Sequence, residues 1–428
     1  MRTVADHEAA VSELIESIAR GDPQMLSVLA ERMASHPDDY QDRVLADDVL
    51  APIDLPPFDN SQMDGYAVRA NELAEAGADA RVSLPIAATV AAGDTVGTLQ
   101  PGTAAPIMTG AAIPVGADAV VPIERVHPPR FFLAERGSLT EDDVHEVSFT
   151  ASVEAGTYVR TAGSDIAAGT VLLTAGTRLG PAQYGVLASA GVVDVPVVRR
   201  ISVLLLSTGH ELRQPGTPLG SGQIYDANTT VLTHALHDSG ARVSAVRVPD
   251  RPDELLAVLA SSNSEVDLVV TTGGVSAGAF EVVREALEPR GVQFDSVAMQ
   301  PGGPQGLGRA TVSTTENVTV PVVAFPGNPV STLVSFEMFL RPALRRRVGL
   351  PVRRWSQWLP LATAVDSIAS KHQVRRGVVN GAGMVELVGG PSSHLLHSYA
   401  LSSVLVHLPV GLAHVDAGDA VEVWRIDD

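Results

Sequence analysis

The sequence predicts an α/β protein of several domains whose centre is a doubly wound, mostly parallel sheet. Three observations lead there. Between 200 and 345, continuous apolar runs alternate with segments of helical period. Between about 78 and 160, short Val/Thr/Ala runs alternate with Gly and Pro turns, the pattern of an all-β module. Beyond 350, the stretches Leu359–Val365, Gly377–Val388 and Val404–Trp424 predict a small C-terminal β-barrel or sandwich. A chain of 428 residues is too long for one core and suggests roughly two to four domains.

Taken in order, Val11, Leu14, Ile15 and Ile18 share one face of a helical wheel and predict an amphipathic packing helix over 5–20. The stretch Leu55 to Val68 is the most particular in the chain. Pro56 and Pro57 stiffen its entry, Asp59, Asn60 and Ser61 form a turn cluster, and Asp64-Gly65 precedes an apolar exit. So constrained a backbone either makes an Asx-turn into a strand or aims its two carboxylates at a ligand. In the central region, Ile201–Leu206 reads as a strand covered on both faces. A helix is predicted over 228–238, a strand over Val243–Val248 and a helix over Asp253–Ser261. A strand at Val266–Val270, a helix at Ala279–Leu287, a strand at Val320–Phe325 and a helix at Ser331–Arg345 complete the alternation.

Composition narrows the partners. A formal charge of −19 argues against nucleic acid or an anionic membrane surface. With no cysteine there is no disulfide, thiolate metal site or cysteine nucleophile. No segment approaches a membrane span, and the acidic first 20 residues do not read as a signal peptide, so a cytoplasmic location is expected.

Ligands of an open parallel sheet bind at the carboxyl ends of its strands. Four unusual loops fall there: Ser207-Thr-Gly-His-Glu, Thr271 to Gly278, the Gly/Pro-rich Gln300 to Gly308, and Pro326-Gly-Asn-Pro. Glycines let backbone N–H groups approach a phosphate closely, which is how an acidic chain can hold an anion without many lysines. Each loop can also be an ordinary tight turn between strand and helix. None is a G-x-G-x-x-G or a P-loop. Gly274-Val-Ser-Ala-Gly278 matches the nucleophile-elbow pattern of serine hydrolases, with Asp295 and His394 or His397 in the required chain order. Ser276 equally reads as a phosphate donor or a helix cap.

The Leu55–Val68 stretch resembles the signature of the MoeA family, the molybdopterin molybdenumtransferases. Similar blocks recur in the family's order at Met108-Thr-Gly, Ala162-Gly-Ser-Asp-Ile, Ser207 to Leu212, Gln223 to Asn228, Thr271 to Gly278 and Phe325 to Ser331. The resemblance implies an N-terminal domain of residues 1–75 and 160–198 with a β module, 76–159, inserted in it. It implies a MoaB/Mog-like molybdopterin-binding domain over 199–348 and a C-terminal barrel over 349–428. It also implies an elongated homodimer and a MogA-type adenylyltransferase as a partner. The substrates would be molybdopterin or adenylyl-molybdopterin and molybdate. Mg²⁺ would assist phosphoanhydride hydrolysis, and AMP would be released.

Residue by residue, the resemblance gives Asp64, Asp165 and Glu211 catalytic roles. It assigns Thr272, Gly273, Gly274, Ser276, Pro301, Pro326, Gly327, Asn328 and Ser331 to the pterin and its phosphate. Asp226 and Glu281 would hold the metal, and Lys371, Arg375 and Arg376 are candidates for molybdate. Asp165 and Asp226 equally read as turn or N-cap acids. The chain departs from the family pattern at several points. Ala279 and Glu281 replace two acids, Gly303 replaces a loop lysine, and His210 replaces an aspartate. Pro106 stands where an arginine often does, and Ser402-Ser403 replaces Ala-Asn. Three functions follow: an active molybdenumtransferase, a catalytically weak paralogue that acts as a pterin-binding or scaffold protein, and a serine hydrolase at Ser276.

Overall fold

The computed structural model describes residues 1–93, 95–131, 145–262, 266–276, 281–313 and 318–427. The chain divides into two compact units, one of residues 1–24, 38–46 and 196–428, the other of 25–37 and 47–195.

In the first unit, six strands form one sheet. Their order is Ala241–Val248, Ile201–Thr208, Leu268–Thr272, Val318–Phe325, Pro304–Ser313, Val292–Ser296. Five run in one direction, and Pro304–Ser313 alone runs antiparallel to its two neighbours. The continuous apolar run at 201–206 has the cause expected of it. Val203 and Leu205 join a core with Leu232, Leu236, Val323 and Phe325 on one face. Leu204 and Leu206 join Leu255, Leu259, Val283 and Leu287 on the other. Helices cover both faces, so alternation of polarity disappears from the strand.

Four differences from the sequence reading have physical reasons. The N-terminal helix spans Val4–Glu16 and stops short of residue 20, because Ser17 caps it and its hydroxyl bonds back to the Leu14 carbonyl. The helix expected over 279–287 is described from Val282 to Leu287; Ala279 lies outside the described residues. The Gln300–Gly308 segment is not a loop throughout. Pro304 to Gly308 begin the strand Pro304–Ser313, whose glycines pair with Phe294, Val292, Ala324 and Val322. Glycine and proline there masked a strand that packs closely on its neighbours: a Cβ on Gly306 would lie 2.6 Å from the Phe294 ring. The last helix of the sheet starts at Pro329, and passes through a π-helical turn, Phe336–Leu340, before ending at Val348.

The C-terminal residues of the same unit form strands Ser356–Pro360, His372–Val379, Val385–Leu387, Val404–Leu408 and Ala420–Arg425. A bridge between Leu361 and Val385 joins the two ends of this sheet, closing a small barrel around Leu361, Val385, Val404, Val406 and Val423. Its strand His372–Val379 pairs with Met299–Gln300, tying the barrel to the entry of the Gly/Pro segment.

The second unit is built mainly from small sheets. Gly65–Val68, the exit of the signature stretch, is the central strand between Ala105–Ile107 and Ala119–Pro122. A Cβ on Gly65 would lie 2.1 Å from the Val121 carbonyl oxygen, so only glycine fits this crossing. Strands Val82–Pro85, Val126–His127 and Glu146–Phe149 form a second three-stranded sheet.

Candidate functional site

A cleft of about 770 Å³ lies in the first unit at the carboxyl ends of Ile201–Thr208, Leu268–Thr272 and Val318–Phe325. The strand order turns back between the first two of these, so the cleft sits at the topological switch point of the sheet. Its lining includes Thr272, Gly273, Gly274, Ser276, Pro301, Pro326, Gly327, Asn328 and Ser331, all of the residues assigned to the ligand. Glu211 and Glu281 line it as well.

Close approach of backbones shapes this floor. Gly273 has φ +93°, and a Cβ on it would lie 2.9 Å from the Thr208 carbonyl oxygen. Asn228 then clamps two loops together: its Nδ2 donates to Thr272 Oγ1 at 2.9 Å and to the Gly327 carbonyl at 2.7 Å. Thr332 Oγ1 donates to the Pro326 carbonyl at 2.6 Å. Loop backbone atoms beside the cleft are thereby held at fixed positions.

Glu281 is partly engaged. Its Oε2 accepts the Ser276 N–H at 3.1 Å, bracing the turn between strand and helix. Asp226 behaves as the cap that the sequence left open. It is buried, its Oδ1 accepts the Thr229 N–H, and its Oδ2 accepts the hydroxyls of Ser207 at 2.7 Å and Thr229 at 2.6 Å. It lines a separate hollow with Gln214, Thr229 and Arg247. No group of three His, Cys, Asp or Glu able to hold a metal occurs among the described residues. Asp226 and Glu281, carried over together as metal ligands, line different hollows.

The molybdate candidates are also placed otherwise than expected. Lys371, Arg375 and Arg376 do not line the cleft. Arg375 donates to the Gly389 carbonyl, and the fully buried Arg376 donates to the carbonyls of Gly390 and Ser392. Burial lowers the pKa of both arginines, and each is spent on holding the 389–392 loop. That loop in turn contributes Pro391, Ser392 and Ser393 to the cleft, and the Ser393 carbonyl accepts the Val330 N–H. Gly303 is absent from the lining, although its neighbours Gln300, Pro301, Gly302 and Pro304 are present.

The hydrolase arrangement does not assemble. Asp295 lies on Val292–Ser296, three strands from the one that leads to Ser276, or roughly 14 Å across the sheet. Asp295 instead pairs with Arg2 at 3.6 Å.

Asp64 and Asp165 belong to the second unit. Asp64 Oδ1 accepts both the N–H of Thr109 at 2.7 Å and its hydroxyl at 2.8 Å. These bonds hold its carboxyl below the usual carboxylate range. The signature stretch is thus joined to the Met108-Thr-Gly block. The Ala162 block joins it too: Asp59 accepts the Ala162 N–H at 2.7 Å, and the Asp165 N–H donates to the Leu55 carbonyl. The Asp165 carboxylate is exposed.

Sequence reasoning missed Asn228, Asp250 and the 391–393 wall, all of which line the cleft. Asp250 follows the strand Ala241–Val248 at its carboxyl end, so the same rule that selected the four loops would have found it. Its Oδ2 accepts the His210 N–H at 2.6 Å. The described lining carries three carboxylates, Glu211, Asp250 and Glu281, and no Lys, Arg or His.

Comparison with known proteins agrees over the whole chain. Family models match three successive regions: residues 3–191 as the MoeA N-terminal region (domain I and II), 204–346 as a probable molybdopterin binding domain, and 359–426 as the MoeA C-terminal region (domain IV). The molybdopterin molybdenumtransferase 2 of Mycobacterium tuberculosis is 40% identical over 437 residues, covering 100% of both chains. A molybdopterin molybdenumtransferase of Synechococcus elongatus is 34% identical, covering 98% of this chain and 99% of its own. The crystal structure of a molybdopterin biosynthesis MoeA protein from Pyrococcus horikosii superposes with a TM-score of 0.76 at 29% identity, over 97% of each chain.

Proposed function

The chain belongs to the MoeA family of molybdopterin molybdenumtransferases, and from that premise we propose that it acts in molybdenum cofactor biosynthesis, passing molybdenum from molybdate to a molybdopterin bound in the cleft of its α/β domain. The observation that carries this reading is the glycine-lined cleft of about 770 Å³ at the switch point, where every residue assigned to the pterin and its phosphate comes together. That volume suits a ligand of pterin-nucleotide size.

The backbone N–H groups of Gly274, Gly327 and Asn328 would bind the phosphate oxygens, their loops held in place by Asn228 and Thr332. Pro301 and Pro326 would bound the pterin. Glu211 and Asp250 line the cleft and are suited to hold a proton or a cation. Asp64 and Asp165, in the second unit, are proposed separately as catalytic carboxylates. With adenylyl-molybdopterin as substrate, hydrolysis of the phosphoanhydride releases AMP, and the two dithiolene sulfurs take the molybdenum. Magnesium, a homodimer and a MogA-type partner remain part of this proposal, as does a cytoplasmic location. No helix among the described residues is long and apolar enough to cross a membrane.

The direct test is whether the protein restores molybdoenzyme activity in a cell lacking its own insertase. Restoration supports the assignment; failure with a folded, expressed protein overturns it in favour of the pterin-binding or scaffold reading. The absence of any cationic side chain among the described lining residues favours that second reading. Gly303→Lys separates the two. Position 303 has room: a Cβ there meets the Val297 carbonyl oxygen at 3.6 Å and the Met299 carbonyl oxygen at 3.7 Å, ordinary contact distances. A dianion leaving water needs fixed positive partners. The variant should lower the molybdate concentration for half-maximal insertion about tenfold, equivalent to about 1.4 kcal/mol. An unchanged value would mean that other groups already supply the charge.

The dimer has its own measurement. Sedimentation should give about twice the chain mass of 44.7 kDa at micromolar concentration. A monomer throughout that range would remove any role for a second chain in the site.

A further inference from the structure

If the cleft is the pterin site, one of its walls has an unusual construction. Gln300, Pro301, Gly302 and Pro304 line it, and the segment 300–304 consists of one glutamine, two prolines and two glycines. Such a segment has few side-chain means of fixing itself, and its glycines widen the backbone's freedom.

Two buried glutamines from outside the segment fix it instead. Gln305 is 1% exposed, and its Nε2 donates to the Gly302 carbonyl at 2.7 Å and to Ser335 Oγ at 2.6 Å. Gln373 is 3% exposed, and its Nε2 donates to Gln300 Oε1 at 2.5 Å. Gly302 has φ +100°, and a Cβ there would lie 2.8 Å from Ser335 Oγ, so the wall is pressed onto the helix that carries Ser335. Ser335 is the last residue before the π-helical turn. Gln305 thus bridges the wall and that helix.

This arrangement is costly. Gln305 lies on the same face of its strand as Leu307, which belongs to the main core. An apolar side chain would suit the position. Instead, the buried Oε1 atoms of Gln305 and Gln373 have no hydrogen-bond partner among the described residues. A buried acceptor left unpaired is destabilising relative to an apolar group of the same shape. The amide is thus only half satisfied: its Nε2 is paired twice and its Oε1 not at all.

We propose that Gln305 is a positioning residue for substrate binding: it holds Pro301 and Gly302 at the spacing that the bound pterin requires. Gln305→Leu keeps the approximate volume and removes both donors. The loss of the unpaired Oε1 offsets part of the cost of leaving the buried Gly302 carbonyl without its donor, so the thermal midpoint should fall only slightly. Its KM for adenylyl-molybdopterin should rise about tenfold while kcat changes less than twofold. Amide exchange at Val297, whose N–H donates to the Gly303 carbonyl at 2.7 Å, should quicken as the wall loosens. Gln305→Met provides the same test should the leucine variant fail to fold. A lowered midpoint with unchanged KM would make Gln305 merely structural, and an unchanged KM at an unchanged midpoint would equally overturn the proposal. The exchange measurement needs no turnover. Should the unmodified protein insert no molybdenum, the functional reading falls, while unaltered Val297 exchange in Gln305→Leu would separately overturn the positioning role.

Discussion

Asp64→Ala should lower molybdenum insertion at least about a hundredfold, the scale of losing one preorganised charged group from a reaction site. The carboxylate is exposed, yet its Oδ1 is fixed by the N–H and hydroxyl of Thr109. These bonds favour the ionised form and depress its pKa. A depressed carboxylate contributes stability above its unfolded pKa and loses it as pH falls through the folded value. At neutral pH the anion and its anchor are therefore both in place. The contact is at the surface, so its removal should cost only about 1 kcal/mol of stability. The measurement is kcat/KM for adenylyl-molybdopterin beside the thermal midpoint. Normal turnover in a stable variant would reduce Asp64 to a turn residue that staples the signature stretch to Thr109.

Glu337→Ala should be the most destabilising single change among the charged positions discussed, by about 3–5 kcal/mol. Glu337 sits in the π-helical turn with its side chain 7% exposed. Arg354 donates to both of its oxygens at 3.1 Å, and Arg341 approaches to 3.7 Å. Burial and neighbouring arginines already pull the Arg341 pKa down to about 10. Removing the carboxylate would leave a buried guanidinium facing other positive charge. The expected result is a lower first transition in thermal unfolding, with the cleft residues unchanged. A midpoint within a degree of the unmodified protein would mean that the carboxylate's desolvation had cancelled its attraction to the arginines.

The parts of the fold that were legible in the sequence share one property: their pattern reflects burial along a single element. Ile201–Leu206 is apolar at every position but one because helices cover both faces. The four glycine loops could be placed at one sheet edge because parallel strands put their carboxyl ends together. What was less legible involved pairing between distant residues. The strand Pro304–Ser313 is antiparallel to both of its neighbours and carries Gly306 and Gly308, so no crossover helix announced it. Gly306 and Gly308 are there for contact with Phe294 and the Gly291 carbonyl, a requirement visible only across strands.

The sequence by itself determined the family, the alternation of the central sheet, and the residues of the cleft floor, since blocks such as Thr271 to Gly278 and Phe325 to Ser331 are local in the chain. The tertiary structure alone decided what several charged and polar side chains do. Asp226, read from sequence as either a metal ligand or a cap, caps the helix Ala227–Asp238 and accepts from Ser207 and Thr229. Arg375 and Arg376, carried over as molybdate contacts, hold the 389–392 loop through its carbonyls. Asn228 and Gln305 emerged as struts of the cleft only once their partners, 99 residues away at Gly327 and 30 away at Ser335, were in place. The physical reason is the same in each case. A charged or amide side chain has many possible partners, and which one it meets depends on contacts between segments far apart in sequence.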